Sequence, residues 1–125
     1  MKILFLDDNK ERHAAYRRMS IGDDVDYAFT AKQAVSFLKT AETPYDVASL
    51  DHDLDEYATM GQTPRDLTGQ YVAKYISKMP PEKLPKKIII HSFNNAGSLA
   101  MMNILREAGI RSSWRMFRVN DRNLD

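Results

Sequence analysis

Asp7-Asp8, Asp51-His52-Asp53 and His91-Ser92-Phe93-Asn94 are where groups able to hold a cation, move a proton or bind an anion crowd together in this chain. Aspartates are hard oxygen ligands, which favour Mg²⁺ with Mn²⁺ close behind. If His52 or His91 also ligates, the preference tilts towards Mn²⁺ or another transition metal. Three carboxylates within about 4–5 Å of one another repel by several kcal/mol per pair at an effective dielectric near 20. A fold that gathers Asp7, Asp8 and Asp51 therefore needs a divalent cation among them, or one carboxyl kept protonated. Asp53 is a further candidate ligand, direct or outer-shell. In an extended tail, alternate side chains share a face, so Asp51 and Asp53 would point together and His52 away. A turn of the backbone there would swing His52 into the site instead.

His91 is the stronger proton-transfer candidate, because it ends an apolar run and is followed by Ser92 and Asn94. Histidine moves protons near neutral pH, a serine hydroxyl can hold a phosphate oxygen, and an asparagine amide can donate to one. Free backbone N–H groups at a following helix N-terminus add to an anion site. Thr68-Gly69 would open another helix, Thr68 serving as its N-cap, and a phosphate contact from the same end is compatible with that. Arg12, one turn inside the first helix, can reach a phosphate or lock an aspartate. His13 reads as structural, and Phe93, Met101, Met102 and Trp114 as core.

Each polar cluster follows directly on a short apolar run: Ile3-Leu4-Phe5-Leu6, Val47-Ala48-Ser49-Leu50 and Ile88-Ile89-Ile90. Such runs, separated by helical stretches, are how parallel strands covered on both faces look. The order reads strand Lys2–Leu6, helix Lys10–Met19 capped by Asn9 or Asp8, strand Val25–Phe29, and a helix opened by Thr30-Ala31-Lys32-Gln33. Strand Asp46–Leu50 follows, then a long irregular stretch from His52 to about Leu67, expected to act as a lid. A helix carrying Val72, Tyr75, Ile76 and Met79 stops at Pro80-Pro81. Strand Lys87–Ile90, helix Ala96–Ala108 ending at Gly109, and strand Trp114–Val119 complete the alternation. The expected fold is a three-layer α/β sandwich with a five-stranded parallel sheet in the order 2-1-3-4-5, with little or no fifth helix. Ligands of open parallel sheets bind beyond the carboxyl ends of the strands at the switch point, between strands 1 and 3 here. All three polar clusters fall at that end.

The 125 residues are expected to form one domain, and 43% hydrophobic with 28% charged residues is ordinary for a globular protein. Without cysteine, disulfides, thiolate metal sites and a cysteine nucleophile are excluded. The first apolar run is too short for a signal peptide and nothing approaches a membrane span, so a cytoplasmic location away from membranes is expected. The net charge of +1 hides an asymmetry. Residues 1–66 carry 8 Lys/Arg against 13 Asp/Glu, a balance of −5, and residues 67–125 carry 10 against 4, a balance of +6. Arg106, Arg111, Arg115, Arg118 and Arg122 supply much of the second excess. This excess reads either as a solvated surface or as an electropositive rim that would draw a phosphorylated ligand; a duplex-binding protein would show more charge, and no duplex DNA partner is expected.

Asp7-Asp8 after strand 1, Asp51 after strand 3 and Ser92 after strand 4 resemble the response-regulator receiver domain. The resemblance departs where a receiver carries a lysine after its last strand, since this chain reads Phe117-Arg118-Val119-Asn120-Asp121 there. The fuller pattern resembles cyclic-phosphate processing receiver domains, a derived group found in many phage and bacterial genomes. It rests on Leu4-Phe5-Leu6-Asp7-Asp8 with Arg12, Ser49-Leu50-Asp51-His52-Asp53-Leu54, Thr68-Gly69 and His91-Ser92-x-Asn94-x-x-Gly97. It implies a receiver fold turned into an enzyme or binder for cyclic or terminal phosphates. The expected reaction is metal-assisted hydrolysis of an RNA 2′,3′-cyclic phosphate end or a cyclic nucleotide. His91, His52 and Asp51 would be catalytic, with Ser92, Asn94, Thr68, Gly69 and Arg12 on the phosphate. Two alternatives stay open: a binder without turnover, and a receiver that accepts phosphate on Asp51.

Overall fold

The structure, a computed structural model, describes residues 1–54 and 68–124. Its elements are β1 (Lys2–Leu6), α1 (Lys10–Met19), β2 (Asp24–Ala28), α2 (Ala31–Thr40), β3 (Val47–Leu50), α3 (Gly69–Ser77), β4 (Lys87–Ile90), α4 (Asn95–Glu107) and β5 (Ser113–Trp114), with a 3-10 turn at Pro81–Lys83 before β4. The five strands form one parallel sheet in the order β2-β1-β3-β4-β5. The stretch at residues 55–67, where the sequence places a lid, lies outside the described residues.

Strand periodicity explains the layers. Leu4 and Leu6 of β1 pack with Val72 and Ile76 of α3, Leu38 of α2 and Met101 of α4, while Ile3 and Phe5 face Tyr16 of α1. Successive side chains thus feed opposite cores, and neither face of the central strands meets water. The helices begin where short polar side chains can replace the missing backbone partners. Asn9 accepts from the Arg12 N–H at 2.9 Å and Thr30 from Gln33 at 3.1 Å, while Gln33 reaches back to the Phe29 N–H. At the end of α4, Gly109 has φ +79°, and the N–H groups of Gly109 and Ile110 return to the carbonyls of Arg106 and Leu105. That is a Schellman stop, which needs the left-handed region that glycine enters freely.

The last strand differs from expectation. It covers Ser113–Trp114 rather than Trp114–Val119. β4 ends at Ile90 and its chain then turns, so after the Arg115 N–H has bonded to the Ile90 carbonyl no partner strand remains. Nor does the following segment have one buried face, since Met116 and Val119 are exposed and Phe117 alone packs inward, against the α1-side core. Among the described residues no helix follows β5. The segment that continues from it lies against that core instead, through Phe117 and Leu124.

Candidate functional site

β1, β3 and β4 run side by side with Leu6 level with Leu50 and Leu50 level with Ile90. The residues one step beyond these, Asp7, Asp51 and His91, therefore emerge together. Each offers a ligand atom within 4.8 Å of the others, and all three are buried. Asp8 and Asp53 do not belong to this group. Asp8 is buried, with Oδ1 3.8 Å from an Arg12 Nη. Asp53 is exposed and its Oδ1 takes hydrogen bonds from His52 and Asn94.

Asp7 accepts from three donors. Its Oδ2 accepts from Arg12 Nε at 2.7 Å and from His91 Nε2 at 2.9 Å, and its Oδ1 from the Asn9 N–H at 2.8 Å. Burial pushes this carboxyl up, but His91 and Arg12 more than offset it and hold the pKa at about 2. Asp51 has less help. Its Oδ1 accepts from the His52 N–H and its Oδ2 lies 3.5 Å from Arg12 Nη2. Burial dominates, attraction to His91 offsets it only in part, and the pKa rises to about 6. Burial opposes the Arg12 charge, but Asp7 first, then Asp51 and Asp8, raise its pKa.

His91 lies on the Phe5 ring, 5.1 Å between centroids and nearly parallel, with both nitrogens engaged. Nε2 faces the Asp7 carboxylate and so carries the hydrogen; Nδ1 then accepts from the Ser49 hydroxyl at 2.8 Å. Sequence reasoning included Ser49 in the family pattern but gave it no role, although a hydroxyl inside the apolar Val47–Leu50 run was its signal. His13 is structural in its packing, stacked on Phe29 at 3.8 Å, yet its Nε2 donates to the Asp7 backbone carbonyl at 2.7 Å and so buttresses the site.

The Asp51–Asp53 tail turns. His52 is buried and Asp53 is exposed, the reverse of simple strand alternation. The His52 Nδ1 hydrogen points to Asp53 Oδ1 at 2.7 Å, and Nε2 accepts from the Gln70 side-chain amide at 3.0 Å. Gln70 carries no signal in the sequence; only its place in the first turn of α3 brings it there. Two glycines make the room. A Cβ on Gly69 would sit 2.2 Å from the Asp51 carbonyl oxygen, and one on Gly97 2.4 Å from the His52 ring.

The expected phosphate contacts have internal partners in this state. The Ser92 hydroxyl is buried and accepts from the Asn94 N–H at 3.0 Å. Asn94 caps α4 through Oδ1 on the Gly97 N–H and gives its amide to Asp53. Thr68 accepts from the Gln70 N–H, and the Gly69 N–H donates to the His52 carbonyl. Arg12 is partly exposed and lies among Asp7, Asp8 and Asp51. The donor set itself fits a divalent cation: two aspartates and an imidazole meet, while one guanidinium serves three carboxyls.

Solved structures share this fold. The response regulator receiver domain protein from Methanospirillum hungatei is 19% identical, with a TM-score of 0.68 over 96% of this chain and 85% of that one. The Mn²⁺-bound response regulator Rcp1 is 16% identical, with a TM-score of 0.63 over 98% of this chain and 83% of that one. A response regulator from Burkholderia pseudomallei, solved with a phosphorylated aspartic acid, calcium ion and citrate, is 15% identical at a TM-score of 0.62. The match covers 91% of this chain and 58% of that protein. No curated protein matches the chain in sequence. Among the described residues no helix is long and apolar enough to cross a membrane. The family described as the cyclic-phosphate processing receiver domain matches residues 2–107, nearly the whole sheet and all four helices, and the chain belongs to that family.

Proposed function

We propose that this chain hydrolyses a cyclic phosphodiester at a divalent-cation centre held by Asp7 and Asp51, with His91 as a third ligand when the metal accepts nitrogen. The convergence of those three buried groups within 4.8 Å carries the reading. A bound cation would neutralise the phosphate and lower the pKa of a water molecule. The protein's own groups divide the remaining work. Arg12, between Asp7 and Asp51, can turn its guanidinium to a non-bridging phosphate oxygen. His52 has its hydrogen fixed on Nδ1 by Asp53, which leaves Nε2 as the basic atom once the Gln70 amide moves aside. Where His91 is not a ligand, a proton taken up on Nδ1, with Ser49 Oγ turning to accept from it, would let Nε2 pass its hydrogen to the oxygen leaving phosphorus and leave the neutral ring.

The test is mass spectrometry after incubating the protein with Mg²⁺ or Mn²⁺ and a panel of 2′,3′- and 3′,5′-cyclic nucleotides and cyclic-ended oligoribonucleotides. One member should gain a water molecule. His91→Ala should lose at least about a hundredfold in turnover and any preference for Mn²⁺ over Mg²⁺. Tight binding with no product would instead make the chain a binder. A second reading is favoured by the place of Asp51, one residue beyond β3 and beside Asp7: phosphoryl transfer to Asp51 from a small phosphodonor. Labelling of Asp51 by acetyl phosphate, without cyclic-phosphate turnover, would select it.

A further inference from the structure

The early end of β5 changes which residue stands at the rim of the site. The first residue beyond the strand is Arg115, not one after Val119, and its N–H is bonded to the Ile90 carbonyl, next to His91. The segment that follows is pinned to the site on both sides. The Trp114 indole donates to the Ser92 carbonyl at 2.8 Å, and the Phe117 ring lies 5.9 Å from that of His91. Between and beyond these anchors, Arg115, Met116, Arg118 and Asn123 line an open cleft of about 330 Å³. Both arginines are exposed, and among the described residues neither forms an ion pair. The nearest carboxylate in sequence, Asp121, accepts from the Asn123 backbone. On the β4–α4 turn, Phe93 is 57% exposed and presents a ring beside Ser92.

Two unpaired guanidiniums next to a phosphate-processing centre, with an exposed aromatic ring at the same end of the sheet, are the parts of a single-stranded nucleic-acid track. The cations hold backbone phosphates and the ring stacks on a base. A free cyclic mononucleotide has one phosphate, which the centre itself would occupy, and would leave Arg115 and Arg118 without use. We propose that the Arg115–Arg118 cleft is a phosphodiester subsite, and that the substrate is the 2′,3′-cyclic phosphate end of an RNA strand. This rests on reading the chain as a cyclic-phosphate hydrolase and names its substrate class.

The test is competition binding with a labelled short oligoribonucleotide ending in a 2′,3′-cyclic phosphate against the matching cyclic mononucleotide, at several salt concentrations. It compares the parent, Arg115→Gln/Arg118→Gln, and a charge-matched control, Lys74→Gln/Lys78→Gln, in the last turn and at the C-cap of α3. The parent should prefer the oligonucleotide by at least about tenfold. The arginine variant should lose most of that preference, and its log–log salt slope should fall by about 0.7 for each phosphate contact removed. The lysine control should keep both. Equal affinity of the parent for the two ligands, or an arginine variant that retains the parent's preference, would overturn the subsite. Turnover is read separately: an arginine-dependent preference with no hydrolysis of either ligand upholds the subsite and removes the hydrolase reading.

Discussion

Asp7 and Asp51 share one guanidinium unequally, Arg12 giving Asp7 its Nε at 2.7 Å and Asp51 only an Nη at 3.5 Å. His91 sides with Asp7 as well. Metal-free, the site therefore stabilises one carboxylate and leaves the other as surplus charge, with pKa values of about 2 and about 6 from a common starting point of 3.8. The consequences for stability have opposite signs. The depressed Asp7 contributes stability that is present above pH 3.8 and lost as pH falls through about 2. The raised Asp51 contributes stability that is complete below pH 3.8 and lost as pH rises through about 6. Asp51→Asn keeps the neutral form's shape at every pH. In chelator, it should match the parent near pH 4 and exceed it by about 2–3 kcal/mol above pH 7. Urea denaturation across that range measures this. Millimolar Mn²⁺ should then raise the parent's midpoint and leave that of the variant in place. A parent as stable as Asp51→Asn at pH 8 without metal would show that Asp51 carries no surplus charge.

At the scale of the elements, helix starts do the positioning, and they do so by close approach. The first turn of α4 lies so near His52 that a methyl group at Gly97 would overlap the ring at 2.4–2.6 Å, while Asp53 and Gln70 hold that ring from two other sides. Alanine in a helix is worth about 1 kcal/mol over glycine. Overpacking costs about 1–3 kcal/mol, and here the obstacle is a ring with nowhere to go. Gly97→Ala should thus be destabilising by about 1–2 kcal/mol net and should shift the His52 ring resonances while sparing those of His91. A variant at least as stable as the parent, with unmoved His52 signals, would mean the ring has slack. The sequence showed Gly97 at the right spacing but not its reason, because the clash partner is 45 residues away in the chain. Strand ends were legible in the same partial way. Apolar runs locate β1, β3 and β4 because both faces of those strands are buried. The extent of β5 was not legible, because its length depends on where its neighbour turns.

Across the whole molecule, register made the site readable. Three parallel strands in step deliver Asp7, Asp51 and His91 to one place, so recognising three apolar runs with polar ends was nearly enough to find it. What could not be read was a partner fixed by packing alone, Gln70 on His52; Ser49 behind His91 was marked only by a hydroxyl in an apolar run, and the turn that exposes Asp53 was one of two readings the sequence left open. The segment after β5 belongs with these, since the sequence reads it as the rest of a strand yet it lies against the core beside α1. Phe117 packs there 6.1 Å from Phe5 and 5.9 Å from His91, Leu124 joins the same cluster, and Arg122 binds Asp23 at 2.6 Å. This segment therefore supports His91 as well as the fold. Removing its anchor should show both effects. Phe117→Ala should cost about 2–3 kcal/mol in urea denaturation, below the range for a fully buried phenylalanine because the ring is only partly buried. It should also broaden or shift the His91 ring resonances, as one wall of its pocket is lost. Substitutions at the exposed Met116 and Val119 beside it should stay within about 0.5 kcal/mol. If Phe117→Ala falls within that same narrow range and leaves the His91 resonances unmoved, the segment is a passenger, and His91 owes its position to Ser49, Asp7 and Phe5 alone.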